Sequence, residues 1–298
     1  MKIALAVDLS PESASAAKVA ERLVKRLGGT LEVVFVLEPE FWDAGDVGGL
    51  MRGIMSADPL GSGPKSLAED PEICARIESD ISEFAAKHLS VPYTCVILEG
   101  RADRELSRYA AGHDFLCVGA PLGATTRFAL GSVAERLAHR PHTRTLIAKD
   151  SGNPDEWVVA VDFSEGEGLF VLEAMRLAKA YGAKVHLLHV MPAPMPPSTD
   201  LAAMSISPES LSMKALRDWS EKELARTLEA AKAVEGVAVE AHLRVGYAAM
   251  GIEDFVEDTG AGLVVLGTHG RSRLEDALLG SVAWGVVKRM PTSILLMK

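Results

Sequence analysis

Apolar and polar positions divide the chain into short apolar runs that alternate with amphipathic stretches. The apolar runs contain little polar–apolar alternation, which is typical of parallel strands buried on both faces of a sheet. They predict strands at residues 3–7, 31–37, 93–98, 114–119, 144–149, 157–161, 184–190, 237–243, 262–267 and 292–297. The amphipathic stretches between them predict helices. Because parallel strands are joined by right-handed crossovers, this alternation predicts an α/β fold with doubly wound parallel sheets.

Residues at the ends of two predicted helices support this interpretation. The first helix is expected to begin after Ser10, a good N-cap, with Pro11 at the first position, where its missing N–H does no harm. Its counterpart begins in the segment Ser164–Glu167, which has the form of a capping box. Both helices are expected to end before a glycine, Gly28 or Gly182, that suits a left-handed C-cap.

The same order of segments occurs twice, about 150 residues apart. The matching segments are Ile3–Ser10 with Val158–Ser164, Leu98–Ala102 with Arg244–Ala248, Phe115–Gly119 with Leu263–Gly267, and Leu130–Ala134 with Leu279–Ala283. Their offsets are 154, 146, 148 and 149 residues, as small loop insertions would produce. The chain is therefore predicted to hold two tandem five-stranded domains, residues 1–150 (the first copy) and 155–298 (the second copy). The polar segment Lys149–Asp155 is the expected hinge.

Each copy is interrupted after its second strand. Residues 39–69 are rich in Gly, Asp and Pro, and a proline-rich segment begins at Met191 in the second copy. Both segments follow the carboxyl end of a strand, where ligands bind in such sheets. A lid over a site and a simple surface excursion are both open interpretations.

The segment from Val265 to Ser281 carries the most informative pattern. A predicted strand ends at Gly267, a glycine-containing loop follows, and a helix begins near Ser281. Glycines let the backbone approach a ligand closely, and the unpaired N–H groups at a helix start form a natural phosphate site. The residues alone leave two alternatives open, an anion or nucleotide site and a tight strand-to-helix connection.

The spacing Gly267-x2-Gly270-x9-Gly280-Ser281 resembles the ATP-binding subgroup of the universal stress protein family. Asp162 after the first strand and His189-Val190 at the end of the second strand add to this resemblance, which covers nearly the whole chain twice. The resemblance implies two Rossmann-like domains of the adenine-nucleotide alpha hydrolase-like type, related by a pseudo-twofold axis. It also implies that ATP binds in the second copy, with Mg²⁺ on its phosphates.

The resemblance implies particular binding residues in the second copy. Asp162 and Val190 are expected around adenine, the glycine loop along the ribose and phosphates, and the start of the last helix at the phosphate tail. The candidate residues are Ala160, Val161, Asp162, Val190, Leu266, Gly267, His269, Gly270, Arg271, Gly280, Ser281 and Val282. Neither catalytic residues nor protein ligands for the metal ion are expected.

The first copy departs from this pattern. Gly119 and Gly131 are 12 residues apart, whereas Gly267 and Gly280 are 13 apart, and Pro121 takes the position of Gly270. Proline has no N–H to offer a phosphate. The candidate residues that remain are Asp8, Val36, Gly119, Gly131 and Ser132. We therefore expect one competent site in the second copy and a weaker or vacant site in the first.

Several candidate side chains have a structural alternative. Asp8 and Asp162 each close a first strand, where a carboxylate commonly accepts hydrogen bonds from the next helix. Arg271 is a candidate phosphate contact, but an exposed loop arginine is also often only solvated. His186 and His189 are three residues apart on one strand, so they are expected to point to opposite faces and not to bind one ion.

Composition excludes several classes of function. The chain of 298 residues has a formal net charge of −10, which disfavours tracking a nucleic-acid backbone. Apolar runs such as Leu263–Leu266 are far shorter than the roughly 20 residues that cross a bilayer. Asp8 ends the apolar run at the amino terminus, so no signal peptide is expected. The three cysteines cannot all pair, which fits a reducing compartment and a cytoplasmic location.

Known catalytic motifs do not match. The sequence holds no Gly-x4-Gly-Lys-Ser/Thr, no Gly-x-Ser-x-Gly and no Gly-x-Gly-x-x-Gly. The expected function is an ATP-binding sensor or regulatory module of the stress response, with at most weak ATP hydrolysis or autophosphorylation. The alternatives are a nucleotide-independent scaffold or small-ligand binder, and a slow ATPase. The last strands of the two copies are expected to pair within the chain, and a homodimer is left open.

Overall fold

The computed structural model describes residues 1–38, 70–121, 132–139, 141, 143–193, 208–268 and 279–297. These residues form two compact units, which meet in sequence between Lys149 and Asp150. The first unit runs up to Lys149 and the second from Asp150. Among the described helices, none is both long and apolar enough to span a bilayer.

The first unit is a five-stranded parallel sheet with helices between its strands. Its elements are β1 (Lys2–Val7), α1 (Pro11–Leu27), β2 (Thr30–Leu37), α2 (Pro71–His88), β3 (Tyr93–Glu99), α3 (Ala102–Ala110), β4 (Phe115–Gly119), α4 (Ser132–His139) and β5 (Arg144–Ala148). The strand order is β3-β2-β1-β4-β5, and every pairing is parallel. The order reverses between β1 and β4, so a crevice forms there at the carboxyl ends of the strands.

The second unit repeats this topology. Its elements are β6 (Asn153–Ala160), α5 (Glu167–Tyr181), β7 (Lys184–Met191), α6 (Pro208–Lys232), β8 (Val239–Val245), α7 (Ala248–Thr259), β9 (Ala261–Gly267), α8 (Ser281–Arg289) and β10 (Ser293–Met297). The strand order is β8-β7-β6-β9-β10, again all parallel. The reversal therefore lies between β6 and β9.

Burial explains why the strands read as continuous apolar runs. Neighbouring residues on a strand point to opposite faces, yet Ile3, Ala4 and Leu5 are all fully buried, as are Val158 and Val159. Both faces of each sheet are therefore covered by helices. The predicted α/β fold class is confirmed.

The structure differs from the sequence prediction at the start of β6. This strand begins at Asn153, inside the segment expected to be a hinge, and Asn153 N–H donates to the Gly260 carbonyl at 2.7 Å. The pairing with β9 shifts register between Asn153 and Trp157. An irregularity of this kind accommodates Pro154, which lacks the N–H that a regular central strand needs.

The helix caps are only partly as predicted. Ser10 caps α1 by accepting from Ser13 N–H at 3.3 Å, and Gly182 ends α5 in the left-handed conformation. Gly28 ends α1 with a φ of 72° but a ψ of 164°, which is not the left-handed helical conformation. The capping box at Ser164 is wrong. The N-cap of α5 is Gly166, and Glu167 accepts from the N–H groups of residues 162 and 163 instead.

Each first strand ends in the same local structure, which we call the Asp turn (residues 8–10 and 162–164). The carboxylate of Asp8 accepts from Ser10 N–H at 3.0 Å, and that of Asp162 accepts from Ser164 N–H at the same distance. The residue between them has a positive φ, 63° at Leu9 and 56° at Phe163. That conformation costs a non-glycine residue about 1–2 kcal/mol, which the side-chain hydrogen bond helps to offset.

Replacing Gly119 with alanine tests the packing of α1 on β4. A Cβ at Gly119 would lie 2.3 Å from the Glu12 carbonyl oxygen, whereas a Cβ at the exposed Gly112 would meet no atom within 4 Å. Gly119→Ala is expected to destabilise the protein by about 1–3 kcal/mol because backbone must move. Urea unfolding measures the change, and Gly112→Ala is the control. Equal stability of the two variants would contradict the packing described here.

Replacing Asp8 with asparagine tests the first Asp turn. Burial alone raises the pKa of Asp8, but hydrogen bonds from Ser10 and Ser13 outweigh it and hold the pKa below its usual value. Ionised Asp8 therefore stabilises the fold above its unfolded pKa of about 3.9, and this stabilisation is lost as the pH falls through the lower, folded pKa. Asp8→Asn is expected to reduce the free energy of unfolding by about 1 kcal/mol at pH 7.

The difference in free energy of unfolding between wild type and Asp8→Asn should become smaller as the pH is lowered to about 3. Denaturant unfolding at several pH values measures it. The exposed Asp80 on α2 provides a control, since Asp80→Asn should change stability by less than about 0.5 kcal/mol. A destabilisation by Asp8→Asn that does not vary with pH would rule out the proposed charge effect.

Candidate functional site

A cavity of about 1120 Å³ lies at the carboxyl end of the second unit's sheet. Its lining comes from the ends of β6, β7 and β9 and from the first turn of α8, and residues of α5 and α6 close the other side. β6 and β9 are the strands between which the strand order reverses. The cavity is thus where ligands bind in open parallel sheets.

The structure brings the described candidate residues of the second copy together. All of them line this cavity, although they come from four separate segments. They are Ala160, Val161, Asp162, Val190, Leu266, Gly267, Gly280, Ser281 and Val282. The candidates His269, Gly270 and Arg271 lie outside the described residues.

The Asp turn forms one edge of the cavity. Asp162 is exposed there, and its carboxylate accepts the Ser164 N–H. This bond is not the expected one to the next helix, because Ser164 precedes the first residue of α5, and the position of Asp162 on the cavity wall keeps the carboxylate within reach of a ligand.

Glu167 holds the Asp turn through hydrogen bonds to its backbone. Its Oε2 accepts from Asp162 N–H at 2.7 Å and from Phe163 N–H at 2.5 Å, and its Oε1 accepts from the Thr227 hydroxyl at 3.3 Å. Burial raises the pKa of Glu167, and the backbone hydrogen bonds from residues 163 and 162 oppose that rise. The sequence marked Glu167 as a capping residue, but its role is to fix the turn.

An aromatic group packs beside the Asp turn. The Phe163 ring lies 4.1 Å from the His189 ring and 5.5 Å from the Trp219 ring, which meets it edge-on. His189 Nδ1 is 2.8 Å from the Val161 carbonyl oxygen. Because a carbonyl only accepts, Nδ1 carries the proton, and this bond ties β7 to the end of β6.

Helix α6 contributes residues that no sequence motif marked. Leu216, Trp219 and Ser220 line the cavity, and Trp219 is 40% exposed. Their i, i+3, i+4 spacing was a signal for one face of a helix, but such a face normally packs into a core. Ser220 is fully buried, and its hydroxyl oxygen has no hydrogen-bond partner within the described part of the chain. A buried hydroxyl left unpaired costs about 1–3 kcal/mol.

The first turn of α8 forms the opposite edge. Its N-cap is Gly280, so no side chain caps the helix. A Cβ at Gly280 would meet no atom within 4 Å, and its φ of −58° is accessible to any residue. Within the described part of the chain, therefore, no contact requires glycine at this position. The uncapped N–H groups and the partial positive charge of the helix start suit an anion.

The corresponding crevice of the first unit is different. Asp8 and Gly119 lie at the ends of β1 and β4, and Val36 is half-buried in β2. Gly119 is in close contact with the first turn of α1, because its Cβ position lies 2.3 Å from the Glu12 carbonyl. Gly131 and the side chain of Ser132 lie outside the described residues. The glycine at 119 therefore has a packing reason that involves no ligand.

Comparison with known proteins shows similarity along both halves of the chain. The model of the universal stress protein family matches residues 1–149 and 156–298. Universal stress protein YxiE of Bacillus subtilis (strain 168) is 29% identical over 147 residues, which are 48% of this chain and 99% of that protein. Universal stress protein MJ0531 of Methanocaldococcus jannaschii is 28% identical over 144 residues, which are 47% of this chain and 80% of that protein.

A solved structure shows the same fold over the full length. The universal stress protein from Archaeoglobus fulgidus DSM 4304 superimposes with a TM-score of 0.65 at 19% identity, covering 100% of this chain and 98% of that chain. Since the family pattern matches both halves and the tandem α/β fold agrees with it, this chain belongs to the universal stress protein family.

Proposed function

We propose that the second unit binds ATP, with Mg²⁺ on its phosphates, in the cavity between β6 and β9. We also propose that the protein acts in the cytoplasm as a stress-response sensor or regulatory module. The observation that carries the proposal is the uncapped start of α8, with open space at Gly280, on the wall of a cavity large enough for a nucleotide.

The phosphates are expected at α8. Residues Ser281 to Ala283 line the cavity, so the N–H groups of the first turn lie beside the space that a triphosphate would fill. The open space at the Cβ position of Gly280 supports this, because a glycine that the fold does not require is explained by close approach of a ligand.

The base is expected between the Asp turn and β7. Ala160, Val161 and Val190 offer apolar surface there, and the Asp162 carboxylate can accept from the amino group of adenine. The unpaired Ser220 hydroxyl offers a further polar contact to a ligand or to water. Ligand cavities usually measure about 300–1000 Å³, so a cavity of about 1120 Å³ has room for a complete nucleoside triphosphate.

The charges of the cavity favour a nucleotide that carries its metal ion. Asp162, Glu165, Glu167 and Glu173 all line it. Free ATP would be repelled by these carboxylates, whereas Mg²⁺ neutralises part of the triphosphate charge. Mg²⁺ would supply that neutralisation and orient the phosphates.

The two carboxylates of the Asp turn are poorly placed to act as a general base. Asp162 and Glu167 are the carboxylates of the Asp turn, and both are occupied by backbone N–H groups. A general base must be within reach of the water it activates, and the hydrogen bonds of these two carboxylates serve the turn instead.

Gly280→Val tests the phosphate site. The variant should fold normally because its side chain enters open space, but it should weaken ATP binding at least about tenfold, or about 1.4 kcal/mol. Isothermal titration calorimetry with Mg²⁺ measures this, and Gly112→Val is the control at an exposed glycine of the first unit. In the wild type ATP should bind more tightly than AMP, and Gly280→Val should remove that difference.

The same titration gives the number of sites. One ATP per chain is expected, because only the second copy carries the complete glycine pattern. Two equal sites would contradict the asymmetry. No binding up to millimolar ATP, with no rise in melting temperature, would favour a nucleotide-independent scaffold or small-ligand binder. Phosphate release faster than that of Gly280→Val would favour a slow ATPase.

Trp219→Phe tests where the base lies. Trp219 is partly exposed in the cavity, so bound nucleotide should change its fluorescence. In Trp219→Phe the ATP-dependent change should disappear while the binding heat remains within a few-fold of wild type. Trp157→Phe is the comparison variant, because Trp157 is a buried residue of β6 that does not line the cavity, and its loss should leave the ATP-dependent change intact. A fluorescence change of undiminished size in Trp219→Phe would contradict this placement of the base, because it would then come from another tryptophan such as Trp284 on α8.

A further inference from the structure

Three side chains with metal-binding atoms meet on the face of β7 and β8 that is opposite His189. His186 and Glu240 face each other directly in the register of the two strands, and His242 is the next residue along the same face of β8. His186 contacts Phe255 of α7, whereas His189 contacts Phe163 and lies in the cavity. The expectation that the two histidines of β7 point to opposite faces is therefore confirmed.

The three ligand atoms have spacing that suits a small divalent cation. His186 Nδ1 lies 3.0 Å from His242 Nε2, and the Glu240 Oε2 atom is 3.8 Å from each of these nitrogens. The point in the plane of the three atoms that is equidistant from them lies about 2.1 Å from each, close to the length of a zinc–nitrogen or zinc–oxygen bond.

A second carboxylate orients His186. His186 Nε2 lies 2.5 Å from Glu156 Oε2 on β6. When Nε2–H donates to this carboxylate, Nδ1 presents its lone pair to the other two side chains. Histidines that bind a metal ion almost always donate their second N–H to a carboxylate or carbonyl in this way.

Other contacts hold the remaining two ligands in place. The Phe255 ring packs at 5.7 Å from the His186 ring and at 4.8 Å from the His242 ring. Glu240 pairs through Oε1 with Lys184 Nζ at 3.1 Å, which leaves Oε2 directed at the histidines. One oxygen of Glu240 is thus committed to positioning and the other remains for a cation.

The first unit shows that the fold does not require this cluster. With the repeat offsets of 154 and 146 residues, the positions of His186, Glu240 and His242 correspond to Glu32, Thr94 and Val96. Glu32 is held by the Tyr109 hydroxyl and by His113 Nε2. The histidine–glutamate–histidine set therefore belongs to the second copy alone, and packing of the shared topology does not explain it.

We propose that His186 Nδ1, His242 Nε2 and Glu240 Oε2 bind one Zn²⁺ ion, with Glu156 positioning His186 and a water molecule at the fourth site. Two imidazoles and one carboxylate form a ligand set that zinc accepts, and three protein ligands leave one position for solvent. Because Glu240 is half exposed, the ion has a path from solvent. The ion would join β8, at the edge of the sheet, to β7.

Zinc titration of the full, untagged chain without nucleotide tests the proposal. The protein is first stripped with a chelator, and Zn²⁺ is then titrated in competition with a chromophoric chelator. Wild type should bind one Zn²⁺ per chain, and Co²⁺ in its place should give the visible absorption of a four-coordinate site. The outcome does not depend on ATP binding.

Variants that carry the residues of the first copy provide the sharpest comparison. Glu240→Thr and His242→Val should each weaken Zn²⁺ binding at least about 100-fold, and Glu156→Gln should weaken it by about 10–100-fold. The control is His88→Gln on α2, which should bind like wild type. Circular dichroism checks that each variant folds. If a ligand variant does not fold, the weaker Zn²⁺ binding expected of Glu156→Gln still tests the proposal.

Two results would overturn the proposal. One is that wild type binds Zn²⁺ with no higher affinity than His242→Val does. The other is a single tight site that persists unchanged in both Glu240→Thr and His242→Val, because the ion would then lie elsewhere in the chain.

Discussion

The cavity depends on one strained residue, Phe163, which adopts a left-handed backbone conformation at the end of β6. The cost, about 1–2 kcal/mol, is offset by two acidic side chains that act from opposite directions. Asp162 accepts the N–H that follows Phe163, and Glu167 accepts the N–H groups of residues 162 and 163. The turn directs the Phe163 ring against His189, whose Nδ1–H in turn holds the Val161 carbonyl. The edge of the cavity is thereby tied together by hydrogen bonds within the chain itself.

The two units share this turn but differ immediately after it. In the first unit Pro11 starts α1 directly after Ser10, and the carbonyl of Glu12 reaches Gly119. In the second unit the position equivalent to Pro11 is Glu165, and α5 starts two residues later because Gly166 takes a φ of 93°. Residues 165 and 166 then line the cavity. The two copies therefore differ at this edge by a two-residue shift in the start of the first helix.

The sequence predicted the strands and the strand ends of the site because both leave strong local signals. Strands buried on both faces are continuously apolar, and the glycine spacing around Gly267 and Gly280 is distinctive. What it missed are contacts between distant segments. Trp219 and Ser220 read as an ordinary apolar helix face, and the partner of His186 lies 56 residues away on the neighbouring strand. The prediction of a capping box was wrong for a related reason, because Glu167 accepts from the N–H groups of residues 162 and 163 in the Asp turn and not from Ser164 N–H.

Strand β7 carries one histidine of the metal cluster and one histidine of the cavity, on opposite faces of the sheet. His186 and His189 are three residues apart, so one faces the histidine–glutamate cluster and the other faces the cavity, where Val190 follows it. β8 is an edge strand with β7 as its neighbour, so its position rests on backbone pairing along one side and on α6 and α7. A cation bound between His186 and His242 would fix the register of β8 on β7. Because β7 is a single extended segment, its carboxyl end would then be held more firmly where His189 supports the Asp turn, and the order of the cavity wall would depend on the metal.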